Sequence, residues 1–240
     1  MTPEPWPLQA AIFDLDGTLV DSEPLYAESD WIFLEKHGIR LQAGLEEFLG
    51  IGTRDFMLAL AERFPDNPLC TLPLEERIRL KDEGYIDWAR GRIRPFEGVV
   101  TVARELAQRG IALAVASGSS PKVIDFELDS SGLRELFAVV VSASEVERGK
   151  PDPQVFLEAA RRLGVESSRC IVFEDSGPGI IAARRAGMTC VAMPTQMTAA
   201  GDARFMIEGG AGALVPGPFI AALEVSGLLD RIPSEAPRGA

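Results

Sequence analysis

Apolar runs alternate with segments of helical spacing over the second half of the chain. The runs lie at residues 111–116, 138–142, 170–173 and 189–193. Runs of this length with little polar alternation are typical of strands buried on both faces. Helix signals lie between them, including Ser120 and Pro121 at one start and Gly110 at one end. The alternation predicts an α/β fold with a parallel sheet covered by helices on both faces.

An earlier apolar run at residues 8–15 predicts the first buried strand. The next 65 or so residues have helical spacing and no β-branched run, which predicts three consecutive helices. Residues 213–215 are predicted as a last edge strand. We therefore predict a Rossmann-like core of residues 1–21 and 94–240, with an all-helical cap domain of residues 22–93 inserted after the first strand.

Charge and cysteine content narrow the class of protein. Lys and Arg number 24 and Asp and Glu 36, and the formal charge of −12 argues against a nucleic-acid partner. The longest apolar runs have about six residues where a membrane-spanning helix needs about 20, so no membrane partner is expected. The first basic residue is Lys36, so we expect no signal peptide. Three widely spaced cysteines fit a reducing compartment, which predicts a cytoplasmic protein.

Polar residues follow the predicted strands at four places along the chain. They are Asp14 with Asp16, residues 117–120, Lys150, and residues 174–177. Because the carboxyl ends of parallel strands share one edge of the sheet, we expect these groups to meet there. Taken alone, the aspartate pair also fits a capped turn, and Lys150 also fits a solvated loop. Their combination favours a chemical site.

The carboxylates at this edge predict a divalent cation. Two aspartates two residues apart repel each other unless a metal ion offsets their charge. Glu174 and Asp175 add hard oxygen ligands, which suit Mg²⁺. No His/Cys cluster is present and the single histidine is His37, so zinc is not expected. Gly118, before a helix start, lets backbone amides approach an anion such as phosphate.

Four motifs, in this order, resemble those of the haloacid dehalogenase superfamily. Residues 13–22 are similar to the first motif and Ser117 with Gly118 to the second. Residues 150–153 with Phe156 are similar to the third, and residues 172–176 with 179–180, 182–183 and 186–188 to the fourth. The resemblance extends over about 190 residues of the chain. The insertion after the first motif resembles the helical cap of the β-phosphoglucomutase-like and sugar-phosphatase-like members.

This resemblance implies a phosphatase that acts through an aspartyl-phosphate. Asp14 would be the nucleophile, which splits one hard displacement into two easier ones. Asp16 would protonate the leaving group and then accept a proton from water. Ser117, the amide of Gly118 and Lys150 would hold the phosphoryl oxygens.

The resemblance also implies Mg²⁺ as the cofactor. Its ligands would be Asp14, the backbone carbonyl of Asp16, and one or both of Glu174 and Asp175. Dehalogenases of this superfamily lack the acid two residues after the nucleophile and use no metal. The presence of Asp16 and of the second carboxylate pair therefore argues against dehalogenation.

Residues of the predicted cap domain distinguish between the remaining reactions of the superfamily. Arg54 resembles a cap arginine that binds the distal part of the substrate, although an exposed arginine at a helix start fits the pattern equally well. β-Phosphoglucomutases carry a histidine in the first cap helix where this chain has Tyr26, which weakens the phosphomutase interpretation. We expect a phosphatase for a small phosphorylated metabolite, such as a sugar or sugar-alcohol phosphate. A phosphomutase and a non-catalytic binding or regulatory protein are the alternatives.

Overall fold

The computed structural model describes residues 8–41, 52–194 and 205–229. Six parallel strands of the described chain form one sheet: β1 (Ala10–Phe13), β2 (Ala112–Ser117), β3 (Val139–Ser142), β4 (Cys170–Glu174), β5 (Thr189–Ala192) and β6 (Phe205–Met206). The helices are α1 (Glu23–Lys36), α2 (Thr53–Arg63), α3 (Leu74–Ala89), α4 (Glu97–Gln108), α5 (Pro121–Ser130), α6 (Gln154–Leu163), α7 (Gly177–Arg185) and α8 (Pro216–Val225). The predicted α/β class with a parallel sheet is confirmed.

The strand order is β3-β2-β1-β4-β5-β6. From β1 the chain proceeds to β2 and β3 on one side, and it then crosses to β4 on the other side. This reversal creates a topological switch point between β1 and β4. Open α/β sheets bind their ligands in the crevice outside the strand ends at such a point.

Both faces of the sheet are buried, which explains the continuous apolar runs. Along β1, Ala11 and Phe13 belong to one core with residues of α4, α5 and α8. Ala10 and Ile12 belong to a second core with residues of α6 and α7. Because side chains alternate along a strand, both sets of positions must be apolar when helices cover both faces.

Helices α1, α2 and α3 lie between β1 and β2 in the sequence and have a small core of their own. It contains Phe33, Leu34, Phe56, Met57 and Leu60, together with Ile39 and Leu69. The inserted helical block is thereby confirmed, whereas the domain boundaries at residues 21/22 and 93/94 remain predictions.

The two connections between the sheet and the helical block run side by side. The amide of Asp21 donates to the carbonyl oxygen of Arg94 over 2.9 Å, and the amide of Phe96 donates to that of Leu19 over 2.9 Å. These contacts lie close to the predicted boundaries. A paired connection of this kind is a place where two packed units meet through few residues.

The last part of the sheet differs from the prediction. Residues 213–215 do not form the edge strand; β6 does, and it pairs with β5. Gly209 and Gly210 have φ angles of 89° and 79°, which turn the chain away from the sheet before a 3-10 turn at Ala211–Ala213. Pro216 then begins α8, which the sequence pattern did not predict. Residues 1–7, 195–204 and 230–240 of the predicted core, and residues 42–51 of the predicted cap domain, lie outside the described residues.

None of the described helices combines the length and the apolar character that crossing a membrane requires. Cys170 and Cys190 are buried in the sheet, where burial raises the pKa of each thiol to about 12. Both therefore behave as small apolar residues.

Candidate active site

The carboxyl ends of three neighbouring strands bring predicted site residues together. Phe13, the last residue of β1, is in register with Val115 of β2 and Phe173 of β4. The rings of Phe13 and Phe173 stack with their centroids 4.4 Å apart. The amide of Asp14 donates to the carbonyl oxygen of Phe173 over 2.9 Å. Asp14 therefore leaves β1 beside Glu174, the last residue of β4, at the switch point.

Lys150 lies between two buried carboxylates. Its Nζ is 2.5 Å from Oδ1 of Asp14 and 3.0 Å from Oε2 of Glu174. Burial, and then the charge of Glu174, raise the pKa of Asp14 well above its ordinary value. Burial lowers the pKa of Lys150, but Asp14 and Glu174 outweigh this effect and raise it overall. Asp14 and Glu174 thus share the single ammonium group of Lys150, which cannot offset the charge of two carboxylates.

A third buried carboxylate, Asp175, completes an acidic cluster. Carboxylate oxygens of Asp14, Glu174 and Asp175 lie within 4.8 Å of one another. Burial, followed by the charges of Glu174 and Asp14, raises the pKa of Asp175 well above its ordinary value. The hydroxyl of Thr18 donates to Oδ1 of Asp175 over 3.0 Å. An oxygen-only donor set with excess negative charge fits a hard divalent cation. The side chain of Asp16 stands outside this cluster.

Gly17 allows the first motif to approach this cluster. Its φ angle is 73°, and a Cβ atom at this position would lie 2.4 Å from Oδ2 of Asp175. Any side chain would therefore strain the backbone and displace the carboxylate. The glycine between the second aspartate of the motif and Thr18 has a steric role at the site.

Hydroxyl groups fix the side chain of Asp16. Ser22 donates to its Oδ1 over 2.7 Å, and Ser117 and Ser119 donate to its Oδ2 over 3.3 and 2.8 Å. The hydroxyl of Tyr26, on α1, is 2.8 Å from Oγ of Ser119. The role of Ser117 in holding phosphate stays a prediction, and in this structure its hydroxyl contacts Asp16. Ser22 and Ser119 were not among the predicted site residues. Asp16 is connected through them to the helical block.

The loop after β2 meets the helical block through two glycines. A Cβ atom on Gly52, at the start of α2, would lie 2.8 Å from the carbonyl oxygen of Gly118. Ser120 accepts a hydrogen bond from the amide of Val123 and so caps α5, as the sequence predicts. Close backbone contact at Gly118 therefore places α2 directly over the strand ends.

Two buried polar residues behind Asp16 were not predicted. The hydroxyl of Tyr85, on α3, donates to Oε1 of Glu127, on α5. The ring of Tyr85 stacks on that of Tyr26 with centroids 3.9 Å apart. Burial raises the pKa of Glu127 well above its ordinary value, and the charge of Asp16 raises it further. The structure thus joins α1, α3 and α5 around one carboxylate.

The cavity above the strand ends is lined by both parts of the molecule. Arg54 is exposed on its rim, and its Nη1 is 3.5 Å from the carbonyl oxygen of Glu147 in the core. Lys81 and Asp30 also line the cavity and form a largely buried ion pair at 2.6 Å. Nζ of Lys81 lies 5.0 Å from the centre of the Tyr26 ring. The cap side of the cavity therefore offers both charge and aromatic surface.

An α/β sheet with an inserted helical block and an acidic site at its switch point defines the structural class of the protein. The model of the haloacid dehalogenase-like hydrolase family matches residues 8–187, and the chain belongs to this family. The resemblance drawn from the four motifs is therefore confirmed.

Curated relatives narrow the class of hydrolase. Hexitol phosphatase B of Escherichia coli (strain K12) is 30% identical over 205 residues, which cover 85% of this chain and 90% of that protein. Fructose-1-phosphate phosphatase YqaB of the same organism is 33% identical over 181 residues, covering 75% and 93% of the two chains. The predicted class of phosphatase-type hydrolase is confirmed.

A solved structure agrees with this assignment. CbbY from Rhodobacter sphaeroides in complex with phosphate matches with a TM-score of 0.77 at 26% sequence identity. The match covers 86% of this chain and 96% of that one. The core and the inserted helices thus follow an arrangement that is known from experiment.

Proposed function

We propose that this protein is a Mg²⁺-dependent phosphatase that hydrolyses a small phosphorylated metabolite through an aspartyl-phosphate. The observation that carries the proposal is the position of Asp14, beside Lys150 in a buried acidic cluster that faces the same cavity as Asp16. Membership of the hydrolase family and the similarity to sugar and hexitol phosphatases support it.

Asp14 is the nucleophile in the proposed reaction. One of its carboxylate oxygens attacks phosphorus, the bond to the leaving-group oxygen breaks, and the phosphoryl group is transferred to Asp14. Lys150, at 2.5 Å from Asp14, supplies positive charge to the phosphoryl oxygens where negative charge is greatest. Ser117 and the amide of Gly118 donate to the same oxygens.

Asp16 is the general acid and base. It donates a proton to the leaving-group oxygen in the first step and accepts one from the attacking water in the second. Its hydrogen bonds from Ser22 and Ser119 hold the carboxyl group in one orientation at the cavity wall. A fixed orientation is what proton transfer in both directions requires.

The acidic cluster holds Mg²⁺ in this proposal. The ligands are carboxylate oxygens of Asp14, Asp175 and Glu174, together with the backbone carbonyl of Asp16. Bound Mg²⁺ supplies positive charge that offsets the repulsion between the phosphoryl oxygens and the nucleophile. Both oxygens of Glu174 already accept hydrogen bonds, from Ser176 at 2.5 Å and from Lys150 at 3.0 Å. Asp175 is therefore the stronger candidate for direct contact.

The cap side of the cavity indicates the substrate class. Asp30 balances the charge of Lys81, so their pair offers hydrogen bonds rather than net positive charge to a ligand. Arg54 adds an exposed cation at the rim. Such a lining suits the hydroxyl groups of a sugar or sugar-alcohol monophosphate. We also propose that the protein acts in the cytoplasm and without nucleic-acid or membrane partners.

The test is phosphate release from a panel of phosphorylated metabolites, assayed with Mg²⁺ and with chelator. We expect hydrolysis of at least one sugar or sugar-alcohol phosphate that is faster than hydrolysis of nucleotides, and that stops in chelator. Binding of these compounds without release of phosphate would instead support the non-catalytic alternative. The intact set of Asp14, Asp16 and Lys150 weighs against that alternative, because uncompensated buried charge is costly to retain.

A further inference from the structure

Glu127 is a fully buried carboxyl group that the proposed reaction does not use. It lies on α5 of the core with no exposed surface. Neighbouring positions of the same helix, Ile124 and Leu128, are buried and apolar. A buried carboxyl group is costly to retain, and a leucine would fill this position without that cost. The contacts of Glu127 should therefore explain why a glutamate is retained at this position.

The hydrogen bond of Glu127 connects the core to the helical block. Its Oε1 accepts from the hydroxyl of Tyr85, on α3 of the helical block. Its Oε2 is buried and has no hydrogen-bond partner among the described residues. The hydrogen bond from Tyr85 therefore satisfies one oxygen of Glu127 and fixes the position of the Tyr85 ring.

The ring of Tyr85 continues this connection toward Asp16. The ring of Tyr85 stacks on that of Tyr26, whose hydroxyl is 2.8 Å from Ser119. Ser119 donates to Oδ2 of Asp16 over 2.8 Å. Glu127 and Tyr85 are therefore connected to the carboxyl group of Asp16 through Tyr26 and Ser119.

We propose that Glu127 and Tyr85 are positioning residues for the general acid and base Asp16, and that they link its orientation to the seating of the helical block on the core. This inference rests on the proposed phosphatase function. Glu127 fixes Tyr85, Tyr85 supports the ring of Tyr26, and Tyr26 holds Ser119 against Asp16, so the acid stays oriented while α3 remains against α5. Neither residue contacts the substrate.

The experiment compares kcat/KM for two aryl phosphates of similar shape, with Mg²⁺ present. 4-Nitrophenyl phosphate has a leaving group that departs without much help from an acid, whereas the leaving group of phenyl phosphate needs protonation. Positioned acid catalysis contributes about 10²- to 10⁴-fold to the rate. In Glu127→Leu and Tyr85→Phe we therefore expect kcat/KM to fall for both compounds, with a fall for phenyl phosphate that is at least about tenfold larger than the fall for 4-nitrophenyl phosphate. The ratio reports on the acid itself, since general loss of structure lowers both values together.

Glu127→Gln is the conservative variant. The carboxamide oxygen still accepts from Tyr85, so this variant should keep the wild-type ratio to within about threefold. Ile124→Val, on the same buried face of α5, is the structural control and should also leave the ratio unchanged. Tyr85→Phe keeps the ring stack and removes only the hydroxyl, so it tests the link if Glu127→Leu does not fold.

The possible outcomes separate this inference from the proposed function. An unchanged ratio in Tyr85→Phe and in a folded Glu127→Leu would overturn the inference alone, as would a Glu127→Gln ratio as altered as that of Glu127→Leu. Failure of the wild-type protein to release phosphate from either compound would remove the proposed function and the inference with it.

Discussion

The ammonium group of Lys150 lies 2.5 Å from a carboxylate oxygen of Asp14, and both side chains are almost wholly buried. The two residues are 136 positions apart in the chain and meet only because β1 and the segment before α6 end at the same edge of the sheet. A buried ion pair adds little stability by itself, because desolvation opposes the attraction. Its place at the switch point therefore indicates a chemical role, which the proposed nucleophile and its cation provide.

Asp14→Asn tests the nucleophile. We expect kcat to fall by about 10³-fold or more, because an amide is a far weaker nucleophile than a carboxylate. The amide oxygen still accepts from Lys150, so the melting curve should show an intact fold. The measurement is phosphate release from 4-nitrophenyl phosphate in the presence of Mg²⁺.

Asp152→Asn is the matched control for this substitution. Asp152 follows Lys150 by two residues and pairs with Arg148 at 3.2 Å, away from the acidic cluster. Its variant should keep at least about half of the wild-type rate, as expected of a surface pair. A rate above one tenth of wild type in Asp14→Asn would exclude Asp14 as the nucleophile.

Removal of divalent cations should abolish hydrolysis. Added Mg²⁺ should restore the full rate, and Ca²⁺ should restore little, because Ca²⁺ takes more oxygen ligands at longer distances and would disturb in-line attack by Asp14. The assay is a titration of each cation into chelator-treated protein, with the melting temperature as a second readout. Full activity in chelator would exclude the metal assignment to Asp14, Glu174 and Asp175.

Asp175→Asn should stabilise the metal-free protein at neutral pH. The pKa of Asp175 is raised by burial and by Glu174, so the folded state holds its proton more tightly than the unfolded state. Stability from this group is present below the ordinary aspartate pKa and is lost as pH rises toward the raised value. The asparagine removes that loss, so the variant should melt about 2–4 °C higher than the wild type in chelator at pH 7. This shift corresponds to a gain of about 1 kcal/mol in the free energy of unfolding.

This gain should disappear below about pH 3, where the aspartate is protonated in both states. Added Mg²⁺ should raise the melting temperature of the variant less than that of the wild type, because the variant lacks a proposed metal ligand. Asp87→Asn is the control, because Asp87 is 80% exposed and its variant should not change the melting temperature. A metal-free Asp175→Asn that melts below wild type at pH 7 would contradict the electrostatic account.

The sheet and the residues at its edge could be predicted because both follow from local rules. Continuous apolar runs mark strands buried on both faces, and parallel strands end on one side. Those two facts are enough to bring Asp14, Lys150 and Glu174 together. The short strand β6 and helix α8 were missed because two residues of strand carry almost no periodic signal, and α8 is apolar nearly all round.

The contacts of Asp16 with the helical block could not be predicted in the same way. Asp16 and Ser119 follow neighbouring strands, so their approach at the sheet edge could be predicted. The contact of Ser119 with Tyr26 depends on how the inserted helices pack on the core, which local spacing does not encode. Glu127 did leave a signal, since it occupies an inward position of α5 between apolar residues, where a glutamate is unusual.

Arg54→Ala tests the cap side of the cavity. Arg54 lines the rim, beyond the position of the phosphoryl group, so its loss should raise KM for the preferred metabolite about three- to tenfold and leave KM for 4-nitrophenyl phosphate within about twofold. Arg63→Ala is the control, because Arg63 lies at the far end of the same helix and does not line the cavity. Equal changes for both substrates in Arg54→Ala would contradict a contact with the distal part of the substrate.

The final prediction separates a phosphatase from a phosphomutase. A mutase returns its phosphoryl group to a sugar, so it must deny water to the aspartyl-phosphate, whereas a phosphatase must admit one water and have its base in place. Tyr26 reaches Asp16 through Ser119, and these hydrogen bonds already orient Asp16 with no sugar present. Hydrolysis of simple phosphates should therefore proceed without a bisphosphate activator. The assay mixes β-glucose 1-phosphate with a trace of its 1,6-bisphosphate and follows both products. Free phosphate should accumulate faster than glucose 6-phosphate; the opposite order would establish the mutase and exclude the phosphatase.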